Sequence, residues 1–322
     1  MRAVILAHKG NLANLHVEDI PLPKPSNGQV LVKVAAAAIN LSDVRNAQGI
    51  FAFTTYPRVP GRDFSGTVIE AGEDCLELVG TAVYGTGGVA GFSVNGSHAE
   101  FILVNAKAVR PKPRNLSFVQ AAAVGVQYLT AYAAIVDVAQ LKEGEAVLII
   151  GARGSVGTSA LQIANQCGAS TIYGTYSSAP LHPSTHPLHT PIDLSAAELP
   201  SFTVNVIIDT VGSPSIMTRV IPHLAQFGRY AFISVNNKET GPGHKLSIDG
   251  LDFYRRNLRL LGLNSLSYTD VQAAEVLENL TPGFESGILT PPKDIKEVKL
   301  DDAKAAYDEI ANGGKTKIVL VP

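Results

Sequence analysis

Residues Ala146–Ala169 read AVLIIGARGSVGTSALQIANQCGA, and they combine a strand, a glycine-rich turn and a helix in one stretch. The apolar run Ala146–Ile150 is typical of a buried parallel strand. Gly151 and Gly154 permit a tight turn, and Gly157 lets the following helix pack close to the strand. This unit places a pyrophosphate on the backbone N–H groups at a helix N-terminus. The alternative is a tight turn that binds nothing.

From about residue 118 the chain alternates helices with strands, which predicts an α/β fold with a doubly wound parallel sheet of the Rossmann type. The predicted helices are Phe118–Ala139, Ser155–Cys167 and Ser213–Leu224, and the predicted strands are Ala146–Ile150, Ser170–Thr175, Val204–Thr210 and Arg229–Ser234. A helix over Asp301–Asn312, capped by Asp301, and a strand over Lys317–Val321 are expected near the end of the chain.

Upstream of residue 118, short strands separated by Gly and Pro turns predict a small β-barrel-like domain. These strands are expected at Ala3–Ala7, Leu15–Glu18, Val30–Ala38, Gly66–Ala71, Ala82–Tyr84 and Gly96–Val104. A short helix follows Asn40, with Ser42 as its expected N-cap.

Bulk composition excludes several classes of protein. The chain has 322 residues, of which 46 % are hydrophobic, so two domains with sizeable cores are expected. A net charge of −2 argues against nucleic-acid and membrane-surface partners. Two distant cysteines, Cys75 and Cys167, suit a reducing compartment, and we expect a cytoplasmic protein. The apolar stretch Val119–Ala139 is interrupted by polar residues and indicates a buried helix, not a membrane span.

Several further motifs occur in a fixed order along almost the whole chain. They are Ala36-Ala-Ala-Ile-Asn40-Leu-Ser-Asp43, Val59-Pro-Gly61-Arg-Asp-Phe-Ser-Gly66, Gly96-Ser-His-Ala-Glu-Phe101, Leu129-Thr-Ala-Tyr132, Asp209-Thr-Val-Gly212 and Gly314-Lys-Thr-Lys-Ile-Val-Leu320. With the glycine turn, they resemble the medium-chain dehydrogenase/reductase superfamily, in its zinc-free branch of quinone oxidoreductases and zeta-crystallin-like reductases. The resemblance implies a GroES-like domain over residues 1–118, completed by 266–322, and a Rossmann domain over 119–265. It places the active site in the cleft between these domains.

No metal is expected. Zinc-dependent members of the superfamily place a Cys near Asn40 and a His-Glu pair where this chain has Arg62 and Asp63, and their structural zinc lobe carries four cysteines. None of these ligands occurs here. A second set of histidines lies among prolines, which prevent a helix from aligning their side chains, so an irregular solvated loop is preferred to a metal site there. Those histidines are His182, His186 and His189.

The expected cofactor is NADPH. Folds that bind NAD place an acidic residue at the end of the second strand, about 20 residues after the glycines, but no Asp or Glu occurs from Ala146 to Ile192. The usual Lys or Arg after this strand is absent too, so either Arg153 or Lys315 is the candidate for the 2′-phosphate; each is otherwise a surface charge. The full set of expected cofactor contacts is Thr130, Ala152, Arg153, Gly154, Ser155, Val156, Gly157, Thr175, Ser177, Ser178, Val211, Ser234, Val235 and Lys315.

The resemblance implies that Asn40 lines the nicotinamide site, where its amide can hold a ribose hydroxyl or a substrate carbonyl. Tyr56 and Tyr128 carry phenols able to deliver a proton, although core packing is an alternative for both. These residues predict a metal-free reductase of small α,β-unsaturated carbonyls or quinones. The alternatives are a nucleotide-binding relative without turnover, and a biosynthetic reductase or cyclising enzyme acting on one specialised intermediate.

A homodimer is expected. By resemblance, the strand near Arg229–Ser234 lies toward one edge of the Rossmann sheet, and the Leu-rich segment Asn257–Asn264 follows it. An apolar edge strand tends to pair with another chain. The alternative is that these leucines fill the monomer's own core.

Overall fold

The computed structural model describes residues 1–176, 189–235 and 245–322. These residues form two compact units. The first consists of Met1–Leu129 and Leu266–Pro322, and the second consists of Thr130–Ser265.

The first unit is built mainly of antiparallel strands. Its strands are β1 (Arg2–Leu6), β2 (Leu15–Asp19), β3 (Gln29–Ala38), β4 (Asp63–Ala71), β5 (Ala82–Gly85), β6 (Phe101–Asn105), β7 (Arg110–Pro111), β14 (Ile295–Lys299) and β15 (Lys317–Val321). β1 pairs with β2, while the others form a sheet of order β14-β15-β3-β4-β5-β7, with β6 also paired to β3. The closing strand Lys317–Val321 has the bounds expected from the sequence.

Helices cover this sheet. In the first unit they are α1 (Leu41–Ala47), α2 (Phe118–Ala123), the start of α3 (Gly125–Tyr132), α7 (Asp270–Glu285) and α8 (Ala303–Ala311). Ala122 and Ala123 of α2 pack on Ala36 and Ala38 of β3 and on Val319 of β15. This packing explains why the first unit extends to Leu129, whereas the sequence places the domain boundary after residue 118.

Two helix details differ from the expectation. The predicted helix Phe118–Ala139 is divided into α2, α3 and a π-helical turn, Ala133–Val138. The interruption follows from a hydrogen bond in which the Asp63 carboxylate accepts from Val126 N, at the start of α3. Asp301 does not cap α8; Asp302 holds that position, and the Asp301 carboxylate pairs with the Arg2 guanidinium.

The second unit contains a six-stranded, fully parallel sheet, as the sequence predicts. Its strands are β8 (Ala146–Ile150), β9 (Thr171–Tyr176), β10 (His189–Asp193), β11 (Val204–Asp209), β12 (Leu224–Phe232) and β13 (Arg259–Gly262), and its helices are the end of α3, α4 (Ser155–Gln166), α5 (Pro214–Val220) and α6 (Gly250–Arg255). The order β10-β9-β8-β11-β12-β13 is that of a Rossmann sheet, in which the strand order reverses between β8 and β11. The predicted Rossmann architecture is therefore confirmed.

The Pro- and His-rich stretch is not the loop throughout that the sequence predicts, because its last residues form strand β10. His189–Asp193 pairs in parallel with β9 and ends the described sheet. Pro191 is tolerated there because an edge strand does not need every backbone N–H for pairing. Ser177, Ser178, His182 and His186 lie outside the described residues, as does the His189 side chain.

Within the part of the chain that the structure describes, no helix combines the length and apolarity needed to cross a bilayer.

Candidate active site

Asn40 lies between strand β3 and helix α1 in the first unit. Helix α1 begins at Leu41, so Asn40 holds the N-cap position, and the prediction of Ser42 as the cap is wrong. The Asp43 carboxylate, three residues later, accepts a hydrogen bond from Asn40 N at 2.8 Å, as in a capping box. The Ser42 hydroxyl instead accepts from the Arg62 guanidinium.

The side-chain amide of Asn40 is held at both ends. Its Nδ2 donates to Asp63 Oδ2 at 2.9 Å, and its Oδ1 accepts from Lys317 Nζ at 2.7 Å. Asp63 begins β4 and Lys317 begins β15, so three separate segments of the first unit meet at one carboxamide. Asn40 itself is half-buried.

Asp63 is the centre of this network, with an exposed fraction of 0 %. Besides Asn40, its carboxylate accepts from the Thr86 hydroxyl and from Val126 N, and it lies 4.0 Å from Lys317 Nζ. Burial raises the pKa of Asp63, and the positive charge of Lys317 opposes that rise. Burial likewise lowers the pKa of Lys317, and Asp63 opposes the change. Each charge is therefore stabilised inside the unit by the other.

A second buried ion pair lies beside the first. Arg62 Nε is 3.8 Å from Asp43 Oδ1, and both side chains are 2 % exposed. The Arg62 guanidinium also stands over the Phe92 ring, 5.4 Å from its centroid. Arg62 and Asp63, which the resemblance aligns with a His-Glu pair of zinc-dependent enzymes, are both engaged in ion pairs here. No group of three or more metal-ligating side chains converges in residues 1–176, 189–235 and 245–322.

The two tyrosines expected near Asn40 have different environments. Tyr128 is buried, its hydroxyl donates to Thr290 O at 2.6 Å, and its ring packs edge-on against Phe284 at 4.9 Å. These contacts support a packing role. The Tyr56 ring packs against the core cluster that includes Val44 of α1, and burial raises the pKa of its hydroxyl.

The second unit carries the glycine turn in the expected form. Gly151 adopts a φ of +78°, and a Cβ on Gly157 would lie 2.1 Å from Gly151 O, so neither position accepts a side chain. A Cβ on Gly154 would lie 3.3 Å from Gly151 O and would otherwise meet open space. Gly154 is the N-cap of α4 and makes no side-chain cap bond, so the first N–H groups of this 12-residue helix are left for other acceptors.

Other predicted cofactor residues surround this turn. The Thr175 hydroxyl at the end of β9 accepts from Gly151 N at 3.1 Å, and this Thr is buried. The turn after β11 is held by Asp209, whose Oδ1 accepts from Val211 N and Gly212 N at 2.8 and 2.9 Å. Ser234 and Val235 line a small cavity with Asp209 and Gly212. The ends of β8, β9, β11 and β12 thus gather these residues at one edge of the sheet.

The remaining candidates are placed as follows. Arg153 and Ser155 are exposed in the turn, Val156 is half-buried, and Ala152 is buried. Thr130 is buried in α3. Lys315 is exposed, two residues before the buried Lys317.

Sequence reasoning missed two residues of the Asn40 network, Asp63 and Lys317. The sequence pattern presents Arg62-Asp63 only as a replacement for metal ligands, and it names Lys315, with Arg153, only as a candidate for the 2′-phosphate. One signal pointed to Lys317: it opens the apolar strand Lys317–Val321, where a charged residue must be paired if it is buried.

Comparisons with known proteins agree with this architecture. Residues 26–114 match the alcohol dehydrogenase GroES-like domain, and residues 189–320 match the zinc-binding dehydrogenase family. Zinc-type alcohol dehydrogenase-like protein C337.11 of Schizosaccharomyces pombe is 37 % identical, covering 97 % of this chain and 94 % of its own. Quinone oxidoreductase of Lama guanicoe is 29 % identical, covering 100 % and 97 % of the two chains.

Two further similarities extend the comparison. The 2-methylene-furan-3-one reductase of Solanum lycopersicum is 28 % identical, covering 100 % of this chain and 79 % of its own. The crystal structure of an alcohol dehydrogenase superfamily protein from Novosphingobium aromaticivorans superposes with a TM-score of 0.85 at 25 % identity, covering 100 % and 99 %. The chain belongs to the medium-chain dehydrogenase/reductase superfamily, in a quinone oxidoreductase-like branch. It is an oxidoreductase of a family whose members bind nicotinamide cofactors and act on small molecules.

Proposed function

We propose that this protein is an NADPH-dependent, metal-free reductase of α,β-unsaturated carbonyls or quinones. The observation that carries the proposal is the Asn40 carboxamide, which Asp63 and Lys317 hold from two sides in the first unit. A carboxamide offers two N–H donors, and Asp63 accepts from one of them, so one N–H remains for a ligand. The similarity to a quinone oxidoreductase and to a 2-methylene-furan-3-one reductase supports this substrate class.

The residues of the second unit fit a dinucleotide. The space beside Gly154, which a Cβ would fill, admits a pyrophosphate to the N–H groups at the start of α4. Arg153 is the one Lys or Arg between Ala146 and Ile192, and no acidic residue lies in that range to repel a 2′-phosphate. We therefore assign the phosphate to Arg153 in preference to Lys315. When bound, the reduced nicotinamide supplies a hydride to the electron-poor carbon of the substrate.

The chain's own residues supply the polar chemistry. The remaining N–H of Asn40 donates to the substrate carbonyl oxygen and stabilises the negative charge that develops there. The proton that completes the reduction comes from water or from Tyr56, whose phenol carries its proton at neutral pH; burial raises the pKa of Tyr56 and makes it the weaker acid for that step. Tyr128 is an unsuitable donor because its hydroxyl proton is engaged by Thr290 O.

Steady-state oxidation of NADPH, with a simple quinone and a simple enone in turn, tests the proposal. The protein is first dialysed against a chelator and its zinc content is measured. We expect turnover with at least one acceptor and no dependence on added zinc. NADPH binding without turnover would favour a binding protein, and turnover restored only by zinc would overturn the metal-free mechanism. Turnover limited to one specialised intermediate would identify a biosynthetic enzyme.

The expected cellular setting remains a proposal as well. Cys75 and Cys167 are free thiols, which supports a reducing, cytoplasmic location. Labelling of a tagged protein in intact cells tests it, and a signal confined to an oxidising compartment would contradict it.

A further inference from the structure

The orientation of the Asn40 carboxamide is fixed by the chemistry of its partners. A lysine ammonium can only donate hydrogen bonds, and an ionised carboxylate can only accept them. Rotating the amide by 180° would place Nδ2 against Lys317 Nζ and Oδ1 against Asp63, and both contacts would become repulsive. The oxygen and nitrogen of Asn40 therefore have one stable arrangement, in which Oδ1 faces Lys317 and Nδ2 faces Asp63.

The partners are themselves held rigidly. The Lys317 side chain is 7 % exposed and the Asp63 side chain is 0 % exposed, so water does not screen their charges well. Thr86 and Val126 N fix the other carboxylate oxygen of Asp63. The Asn40 backbone is anchored separately by Asp43. A mobile surface asparagine has none of these restraints.

The two contacts also act on the amide's electrons in the same direction. Donation by an ammonium to Oδ1 and acceptance by a carboxylate at Nδ2 both favour the polar resonance form of an amide. Hydrogen bonds arranged in a chain strengthen one another in this way. The chain from the Lys317 ammonium through Oδ1 makes the remaining N–H of Asn40 a stronger donor, while Asp63 fixes the direction of that N–H.

We propose that Lys317 and Asp63 are positioning residues that hold and polarise Asn40, so that its remaining N–H is the hydrogen-bond donor to the substrate carbonyl oxygen. This inference rests on the proposed function, in which that oxygen gains negative charge. Lys317 itself does not touch the substrate; it acts through Asn40.

Lys317→Met is the first test, because it keeps the length of the side chain and removes its charge. We expect the single-turnover rate of hydride transfer to an enone to fall about 10- to 100-fold, whereas the dissociation constant for NADPH stays within about twofold. Lys317→Arg keeps the charge and should recover part of the rate. Lys299→Met, which changes an exposed lysine on the neighbouring strand β14, is the matched control and should leave the rate unchanged.

A second variant distinguishes a loss of positioning from a loss of the fold. Lys317→Met alone leaves the buried Asp63 carboxylate without its cation, which costs stability. Lys317→Met/Asp63→Asn removes both charges together, and the one amide oxygen of the new side chain can keep the bonds from Thr86 and Val126 N that hold the fold. If this double variant unfolds at a temperature close to that of the wild type and still transfers hydride about 10-fold more slowly, the lower rate is caused by the loss of the contacts to Asn40 and not by misfolding.

The pH dependence of the hydride-transfer rate distinguishes a positioning role of Lys317 from a packing role. The negative charges of Asp63 and Asp43 favour the protonated form of Lys317, and the positive charge of Arg62 disfavours it. His98 is the other titratable group nearby, and Lys317 contributes to lowering its pKa. Burial lowers the pKa of Lys317, and its charge is lost as the pH rises through that lowered value. We expect the rate to fall on that alkaline side in the wild type. Lys317→Arg, whose guanidinium stays charged, should remove this limb.

A spectroscopic measurement is independent of turnover. In nitrogen-15-labelled protein, the side-chain amide protons of Asn40 are identified by their loss in Asn40→Asp, and their exchange with solvent is measured. We expect slow exchange in the wild type and faster exchange in Lys317→Met. Equal exchange, or an unchanged hydride-transfer rate in an active enzyme, would overturn the inference. A wild type with slow exchange but no turnover would instead overturn the proposed function.

Discussion

Asp63 Oδ1 accepts a hydrogen bond from Val126 N at 2.9 Å, so a side chain of β4 caps the helix that begins at Gly125. The approach depends on Gly125, because a Cβ there would lie 2.3 Å from the same carboxylate oxygen. The carboxylate that orients Asn40 therefore also sets where α3 begins.

Gly125→Ala should destabilise the first unit, because the added methyl group must displace Asp63 from Val126 N. We expect a loss of about 1–3 kcal/mol in the free energy of unfolding, measured with urea. Gly250→Ala is the control: a Cβ at Gly250 meets nothing within 4 Å, and the change should stay within about 0.5 kcal/mol. Equal stability of the Gly125→Ala variant and the wild type would show that Asp63 is not held as described.

Gly154→Leu should abolish NADPH binding and leave the fold intact. The space beside Gly154 is open, so the side chain is tolerated, but it occupies the approach to the first turn of α4. Titration followed by nicotinamide fluorescence should show at least about 10-fold weaker binding, with an unchanged unfolding temperature. Gly157→Ala should behave oppositely and lose stability first, because its Cβ would clash with Gly151 O. Undiminished NADPH binding by Gly154→Leu would place the pyrophosphate elsewhere.

Arg153→Ala should weaken NADPH binding and leave NADH binding nearly unchanged. A hydrogen bond between a guanidinium and a phosphate is worth about 1.5–3 kcal/mol, which corresponds to roughly 10-fold or more in affinity. Arg255→Ala, at an exposed arginine of the same unit, is the control. A wild type that binds NADH as tightly as NADPH would contradict the cofactor assignment. Unchanged NADPH binding by Arg153→Ala would instead favour Lys315 as the residue that binds the 2′-phosphate.

The Glu145–Arg229 pair should make the stability of the second unit dependent on acid pH. Arg229 Nη1 and Nη2 donate to the two Glu145 carboxylate oxygens at 2.8 and 2.6 Å. These bonds, with one from Lys142 N, hold the pKa of Glu145 below its ordinary value of 4.5. The stabilisation is complete above pH 4.5 and is lost as the pH falls through the lower, folded-state pKa.

Glu145→Gln should therefore cost about 2 kcal/mol near neutral pH, and the difference from the wild type should shrink as the pH is lowered below about 4.5. Chemical unfolding across this range measures it. Glu143→Gln, two residues earlier and exposed, should show no comparable difference. A difference that stays constant down to the lowest pH would mean that the carboxylate charge is not responsible.

We expect a homodimer through strand β13. Among the described strands β13 pairs only with β12, and Leu263 N donates to Phe232 O of β12 at 2.9 Å. Because N–H groups alternate in direction along a strand, the N–H of Gly262 faces the open side. Leu258 is already buried in the unit's own core, so the expectation rests on the edge and not on every leucine of this segment.

Gly262→Pro removes that outward N–H and should convert the dimer to a monomer, since a Cβ at Gly262 makes only ordinary contacts with the Phe232 ring. Light scattering at micromolar concentration measures the mass, and the unfolding temperature of the variant monitors the fold. A monomeric wild type would reject the prediction.

The parallel sheet could be predicted because its strands are continuous apolar runs between helical segments. The glycine turn could be predicted because the tight turn and the close packing of the helix on the strand each require a glycine at a fixed spacing. The network at Asn40 could not be predicted, because Lys317 lies 277 residues from Asn40 and its pairing with Asn40 is set by the tertiary fold. The division of the helix near Gly125 depends on Asp63, which is 63 residues distant from Val126. Strand β10 could not be predicted because Pro191 lies inside it and further prolines precede it, and prolines indicate a loop unless the strand lies at an edge.

The two edges of the Rossmann sheet differ in how they can be extended. At one edge, β10 carries Pro191, which has no N–H to donate; at the other, β13 has no second partner among the described strands, so its outer row of backbone groups is unpaired by them. Addition of strands at a single edge is self-limiting, because two copies that meet edge to edge consume the open sides of both. A dimer formed through β13 would therefore be a closed pair, with no second edge of the same kind from which a fibre could grow.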